Sequence, residues 1–228
     1  MKFLIFSLIF VLVGYHANSQ GLLQFEGYGG PSVGFYNATI SSPDGDEMTL
    51  FPTMGYHLGL SVVGKVTDQW QVVLQGEYLH RPIGMRQQLA NGNVFENKDS
   101  VFGNNFGNYS LGARYSIPKE KFELYVQPAI GVALNRDPPN FSGGGGFGGT
   151  TGSINSNFLL RFDVGIKKYI KRNNYFLAGL RYQQGVGTLD ELRFERTEFN
   201  SQEIDFSSRA SYIGLFVGFG ISTDRWFK

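Results

Sequence analysis

Apolar and polar residues alternate along most of the chain, and this pattern predicts β-strands. In the segment from Phe122 to Asn135, for example, Leu124 and Val126 alternate with Glu123 and Tyr125. Successive side chains of a strand point to opposite faces, so such a segment has one apolar and one polar face. A tilted strand needs roughly 9–11 residues to cross the hydrocarbon core of a bilayer. Segments of about this length are predicted at Leu23–Asn37, Tyr56–Val66, Gln69–His80, Phe106–Ser116, Phe122–Asn135, Asn157–Tyr169, Tyr175–Gln184 and Ala210–Ser222.

The connections between these segments alternate between short and long. The short ones are Thr67-Asp68, Ile117–Lys121 and Ile170–Asn174, and the long ones are Ala38–Gly55, Arg81–Asn105, Arg136–Ser156 and Gly185–Arg209. Membrane barrels with both termini in the periplasm have short turns on that side and long loops outside. The sequence therefore predicts an all-β fold, a closed antiparallel eight-stranded up-and-down transmembrane β-barrel. The periodicity within Gly185–Arg209 further predicts a hairpin that extends the last two strands above the membrane.

Ionisable residues share a face with Gly and Ala, and we assign that face to the lumen, where side chains converge. A lipocalin-like soluble carrier would have the opposite arrangement of faces, with large apolar residues inside the barrel and charges outside. The predicted lumen charges are Glu26, Glu77, Arg114, Glu123, Arg161, Asp163, Lys167 and Arg181, with Lys65 beside them. Counting outward from the short turns places Asp163 opposite Arg181 and Arg114 near Glu123. Buried charges are costly unless paired, so we expect these groups to plug the barrel. The alternative, that they line a path for protons or small ions, is not excluded by any spacing.

Aromatic residues recur where the strands should meet the lipid headgroups. The predicted membrane-interface aromatics are Trp70, Tyr78, Tyr109, Tyr115, Phe122, Tyr169 and Tyr175, with Tyr36, Tyr56 and Phe158 also at the outer side. Tyrosine and tryptophan suit this zone because they combine an apolar ring with a polar tip. In the first strand, Pro31 cannot donate a ladder hydrogen bond and predicts a β-bulge.

The N-terminus has the pattern of a signal peptide. Lys2 precedes an apolar run, Phe3–Val13, that is too short to span a bilayer, and the small residues Ala17 and Ser19 favour cleavage before Gln20. We therefore expect residues 1–19 to be removed and residues 20–228 to form the barrel domain. The loss of Lys2 leaves 19 basic against 19 acidic residues, which argues against a nucleic-acid partner. The absence of Cys excludes disulfides and a lipid-modified cysteine.

Several segments resemble a known family. The glycine-rich Phe25–Gly30, the strand Leu111–Tyr115 and the closing Ile213–Gly220 are similar to the outer-membrane β-barrel domain widespread in Bacteroidota, the PorT-like group. The resemblance covers the whole chain after the signal peptide and implies the same barrel fold and a Gram-negative outer-membrane location. It implies little about activity, although some members of that group are tied to protein secretion and gliding.

The residues predict no catalytic, cofactor-binding or metal site. His57 and His80 are expected near the outer rim, and no Ser has a persuasive spacing to His80; Gly143, Gly145 and Gly148 match a nucleotide-binding pattern but precede no helix. We expect a non-catalytic protein that contacts outer-membrane lipid and lipopolysaccharide and meets a protein partner through its extracellular loops. A narrow channel, a component of a secretion machinery, and a lipid-modifying enzyme that uses His80 remain alternatives. The oligomeric state is not predicted.

Overall fold

The computed structural model describes residues 23–35, 38–41, 47–135, 147–154, 156–171, 174–187, 190–196 and 203–223. The strands in these ranges are β1 (Leu23–Gly34), β2 (Ala38–Ser41), β3 (Glu47–Pro52), β4 (Met54–Lys65), β5 (Trp70–Gln88), β6 (Val94–Pro118), β7 (Glu123–Asn135), β8 (Phe147–Ile154), β9 (Ser156–Lys171), β10 (Asn174–Val186), β11 (Asp190–Arg196), β12 (Glu203–Ser208) and β13 (Tyr212–Ser222). Within these ranges, no helix has the length and hydropathy required to cross a membrane. The predicted signal peptide, residues 1–19, lies outside the described residues.

Eight of the strands form a closed antiparallel barrel. In chain order, β1, β4, β5, β6, β7, β9, β10 and β13 each pair with the next. The last strand pairs back onto the first, with Phe25 opposite Ile221 and Val33 opposite Ile213. The predicted eight-stranded up-and-down barrel is confirmed.

Tight turns join the strands at the end that is periplasmic in barrels of this class. The turn after β4 is fixed by Thr67 Oγ1, which accepts hydrogen bonds from the backbone N–H groups of Gln69 and Trp70. Lys65 belongs to this turn rather than to the lumen charges, because its ammonium lies 2.8 Å from Asp68. That contact holds the pKa of the exposed Asp68 carboxyl below its usual value.

The two faces of the barrel wall are of opposite character. In β9, Leu160, Phe162 and Val164 point outward and are 43–46% exposed, whereas Arg161 and Asp163 between them are 3% and 1% exposed. The other barrel strands repeat this alternation. Apolar side chains outside and polar ones inside are the arrangement of a transmembrane barrel.

Glycines on the inner face make room for large rings. A Cβ atom on Gly165 would collide with the ring of Tyr125, and one on Gly59 would collide with the ring of Tyr28. The small residues of the inner face therefore leave the space that the rings of the lumen tyrosines occupy. Together they allow large side chains to fill a narrow tube.

The long connections are largely strand. The hairpin β2–β3 continues β1 and β4, and β5 and β6 extend well past the segments predicted for them, as far as Gln88 and Val94. On the other side, β11 pairs with both β8 and β12 and forms a second sheet. Within Gly185–Arg209, β11 and β12 pair with each other as predicted, but they join β8 in the second sheet and do not extend the barrel sheet. The prediction of a loop over Arg81–Asn105 is wrong. The sequence between Arg81 and Asn105 lacks the regular alternation by which the membrane strands were recognised, so the extensions of β5 and β6 were not predicted.

Pro31 produces no β-bulge, contrary to the prediction. The register between β1 and β13 is the same at Gly29–Val217 and at Ser32–Gly214, and β1 pairs with β4 without interruption. Instead, the ladder to β13 lacks pairs at Gly30 and Pro31. The missing N–H of proline thus removes ladder contacts without inserting a residue.

Candidate functional site

The lumen holds a network of buried polar side chains, arranged in two tiers. Each tier centres on one glutamate, Glu26 or Glu77, which are 2% and 5% exposed. The glutamates come from β1 and β5, and their partners come from strands on every side of the tube. We refer to the two clusters as the Glu26 tier, nearer the periplasmic end, and the Glu77 tier, nearer the extracellular end.

In the Glu26 tier the carboxylate is held by a bidentate arginine. Arg114 donates from its two terminal nitrogens at 2.6 and 2.8 Å, and Ser61 Oγ and Tyr175 OH donate at 3.1 and 2.8 Å. The ammonium of Lys167 lies 3.4 Å away. Such fork-to-carboxylate geometry is among the strongest hydrogen-bonded ion pairs in proteins.

In the Glu77 tier the carboxylate accepts from four side chains. Arg161, Asn108 and Tyr212 donate to its Oε1 at 3.0, 3.0 and 2.6 Å, and Arg181 donates to its Oε2. Arg181 also makes a bidentate pair with Asp163, at 2.8 and 2.6 Å. Both of these charge pairs are almost completely removed from solvent.

Glutamines join the two tiers into one network. Gln75 Oε1 accepts from Gln127 at 2.9 Å and from Arg161 at 3.3 Å, while Gln127 Oε1 accepts from Arg114 at 2.8 Å. Gln183 Oε1 accepts from Arg161 at 2.7 Å. A chain of contacts therefore runs along the barrel axis through groups that are each bonded to a fixed partner.

The two tiers contain four cations, Arg114, Arg161, Lys167 and Arg181, and three carboxylates, Glu26, Glu77 and Asp163. Aromatic faces lie against three of the cations. Arg114 is 4.5 Å from the ring centroid of Tyr125, Arg181 is 4.5 Å from that of Tyr28, and Lys167 is 4.9 Å from that of Tyr175. A ring face attracts a cation, most strongly when both are desolvated. These rings therefore compensate for the excess of positive charge.

An apolar layer lies beyond the Glu77 tier towards the extracellular end. We call it the outer apolar layer; its members are all 0% exposed and are Leu79, Phe106, Ala133, Leu159, Ala210 and Tyr212. Above it, the guanidinium of Arg81 lies 5.0 Å from the Phe106 ring and donates to the carbonyl oxygen of Arg209. Side chains from several strands thus meet over the polar network.

Two of the predicted site residues lie elsewhere than expected. Glu123 is partly exposed near the periplasmic end, where its Oε2 accepts a hydrogen bond from Tyr169 at 3.1 Å, and Arg114 is paired with Glu26 instead. The predicted Arg114–Glu123 pair is therefore wrong. Tyr175 is fully buried in the Glu26 tier and is not a membrane-interface aromatic.

Among the other predicted aromatics, Tyr36 lies outside the described residues. Tyr169 is at the periplasmic mouth on the lumen side of β9, with its ring 5.4 Å from that of Tyr175, and the others lie on or beside the outer surface. Trp70, Tyr109, Phe122 and Tyr169 are 41–54% exposed, and Tyr78 and Tyr115 are partly exposed. The rings of Trp70 and Tyr115 pack with centroids 4.9 Å apart. This packing on β5 and β6 places an aromatic pair at the periplasmic end of the apolar band.

The two histidines lie on opposite sides of the wall. His57 faces the lumen at 0% exposure, between the rings of Tyr28 and Tyr212. His80 faces outward, and its Nδ1 is 2.9 Å from Asn105 Oδ1, which also accepts from Tyr78 OH at 2.7 Å. No serine or threonine hydroxyl bonds to His80 in the part of the chain that the structure describes. The arrangement orients an imidazole but supplies no nucleophile.

Among the described residues, no group of His, Cys, Asp and Glu has the arrangement of a metal site. The buried carboxylates are already engaged by arginine, lysine and tyrosine. The functional candidates are therefore the lumen network itself and the extracellular extensions above it.

The chain is similar in fold to small outer-membrane barrels of known structure. The outer membrane protein OprG of Pseudomonas aeruginosa matches 87% of this chain and 95% of its own, with 13% identity and a TM-score of 0.57. Neisserial surface protein A matches 88% of this chain and 96% of its own, with 10% identity and a TM-score of 0.53. No protein-family model and no curated protein sequence matches the chain. At these identities the likeness establishes the architecture alone.

Proposed function

We propose that this chain is a non-catalytic outer-membrane barrel whose lumen is plugged by its own side chains and which acts through its extracellular strands. The observation that carries the proposal is the filled lumen, in which two bonded tiers lie beneath the outer apolar layer. An eight-stranded barrel has an interior just wide enough for its own side chains. The described network occupies that interior.

The energetics of the lumen favour a plug over a pore. A permeating ion would have to displace Arg181 from Asp163 and Glu77, or Arg114 from Glu26, and leave those charges unpaired. Breaking one buried pair costs roughly 3–5 kcal/mol. The outer apolar layer adds buried apolar side chains beside the Glu77 tier, against which desolvation of an ion is unfavourable.

Wild-type protein in planar bilayers is expected to show no resolved conductance steps, because the described side chains of the lumen are buried and bonded to one another. Heat-modifiable migration on gels verifies that the inserted protein is folded. The exterior variant Lys168→Gln serves as a control and should be equally silent. Conductance steps in wild type that change on Asp163→Ala or Arg181→Ala would instead support a narrow channel.

The extracellular strands support the interaction role. Within the described residues, β2 pairs only with β3, and both β8 and β12 pair only with β11, so each offers one free edge. Free strand edges carry unpaired N–H and C=O groups that bind extended segments of other proteins. We propose a protein partner at these edges.

Replacing residues 188–208 with a short Asn-Gly turn is expected to leave the barrel folded. The described contacts of both tiers come from residues outside this segment, and Arg209 and Ala210 are retained. Unchanged heat-modifiability, together with loss of chemical cross-links to a cell-surface partner, would agree with the proposal. A collapse of the barrel would show that β11 and β12 are structural rather than interactive.

The PorT-like affiliation, the outer-membrane location and the cleaved signal peptide belong to the same proposal. Fractionation of cells and N-terminal sequencing of the mature protein test the last two, with Gln20 expected as the first residue. Gene neighbours that encode secretion or gliding components would favour a machinery role. A changed lipid A or phospholipid profile on expression, lost in His80→Ala, would overturn the non-catalytic assignment.

A further inference from the structure

A cavity of about 780 Å³ opens at the extracellular rim of the barrel. Its lining combines aromatic rings with a few polar groups and consists of Gly34, Phe35, Thr49, Phe51, Pro52, Arg86 and Glu96. Ligand sites in proteins have about this size, roughly 300–1,000 Å³, and about this composition. We call it the rim cavity.

The rim cavity lies on the outer side of the wall. Thr49, Arg86 and Glu96 are register partners across β3, β5 and β6, so they form one row. Leu50 and Ile83, at the alternate positions, are 0% exposed and face the other way. A strand alternates its faces, so the row of Thr49, Arg86 and Glu96 points away from the lumen.

The cavity also borders the lipid-facing surface. Phe35 follows Val33 on the outer face of β1, and its ring lies 6.0 Å from that of Tyr182 on the outer face of β10. Val33 and Phe35 are 37% and 46% exposed. The lower edge of the cavity therefore adjoins the apolar outer surface of the barrel wall.

The lining offers a guanidinium to a phosphate group and aromatic rings to the faces of a sugar. No salt bridge joins Arg86 to a carboxylate anywhere in the described ranges. A guanidinium binds phosphate oxygens in a bidentate manner. The Phe51 ring, held over Gly84, offers a flat apolar surface.

We propose that the rim cavity binds the phosphorylated sugar headgroup of lipopolysaccharide. Arg86 contacts a phosphate, and the rings of Phe35 and Phe51 pack on the sugars. The site rests on the proposed outer-membrane location, which cell fractionation tests separately, but not on the plugged lumen. If the barrel conducts ions and its affinity for lipopolysaccharide still depends on Arg86, the plugged lumen is contradicted while the rim site is supported.

The test measures binding to full-length mature protein in phosphatidylcholine nanodiscs. The probes are lipopolysaccharide, its deacylated phosphorylated oligosaccharide, phosphatidylglycerol and inorganic phosphate. We expect Arg86→Gln to weaken binding of lipopolysaccharide and of the oligosaccharide on the order of tenfold, because a charge-assisted contact is lost. Lys168→Gln, which removes an exposed cation near the periplasmic end, should leave both affinities unchanged.

Two further measurements distinguish recognition of the sugar headgroup from binding of negative charge alone. Phosphatidylglycerol and inorganic phosphate should compete poorly, since neither offers sugar faces to Phe35 and Phe51. Phe51→Leu keeps the site apolar but removes the flat ring, so it should weaken oligosaccharide binding while the barrel stays heat-modifiable. Three results would each overturn the proposal. Wild type and Arg86→Gln could bind lipopolysaccharide equally, or Lys168→Gln could lose as much affinity as Arg86→Gln. Phosphatidylglycerol or phosphate could also compete with lipopolysaccharide as well as the oligosaccharide does.

Discussion

Replacing Glu77 with alanine is expected to abolish the compact, heat-modifiable form of the barrel. The carboxylate accepts from Arg161, Arg181, Asn108 and Tyr212, so its removal leaves two guanidiniums with fewer anions in a buried site. Removing one partner of a buried ion pair costs roughly 3–5 kcal/mol, and here two cations lose the same partner. Folding yield into lipid vesicles and the free energy of unfolding in urea measure the effect.

Matched variants distinguish the lost charge from the lost shape. Glu77→Gln keeps the hydrogen-bonding outline and should be intermediate, while Glu123→Gln changes a partly exposed acid near the periplasmic end and should be close to wild type. Wild-type stability in Glu77→Ala would show that the Glu77 tier does not hold the barrel together.

Phe162→Arg should destabilise the barrel by about 2–4 kcal/mol, the cost of an arginine on the lipid face near the bilayer midplane. Phe162 lies halfway along β9, with Leu160 and Val164 beside it on the same apolar face. The measurement is urea unfolding in lipid vesicles, followed by the fluorescence of Trp70 at the barrel surface and of Trp226.

The control is the same substitution nearer the interface. Ile170→Arg, at the periplasmic end of β9, should cost only about 0–1 kcal/mol because the penalty falls with distance from the midplane. Equal costs at both positions, or none at Phe162, would contradict a lipid-facing assignment of this side of the strand.

The membrane strands could be predicted because lipid and lumen impose opposite chemistry on alternate residues. This pattern identified the faces of β7 and β9 and the position of Asp163 opposite Arg181 on the neighbouring strand. The same parity, counted back from Arg181, places Tyr175 inside. Its aromatic character and its place beside a turn led to the wrong assignment at the membrane interface.

Contacts across the lumen could not be derived from the sequence. Counting through a turn locates neighbours on adjacent strands, which is how Arg114 was assigned to Glu123. In a narrow tube, however, a long side chain reaches strands that are not its neighbours, and Arg114 on β6 pairs with Glu26 on β1. The rim cavity was missed for a related reason, since Phe51 and Arg86 lie on two different strands, Phe35 follows a third, and no common motif joins them.

The pairing of β1 with β13 has a consequence for biogenesis. These strands lie at opposite ends of the described chain. The sheet therefore has two unpaired strand edges until β13 is added. Ordering so long an intervening stretch carries a large entropic cost that local hairpins do not bear. A chain truncated before Tyr212 would leave the backbone amides of Gly27 and Gly29 without partners and facing lipid. Pairing of β1 with β13 is therefore the step at which a defective chain can be distinguished from an intact one.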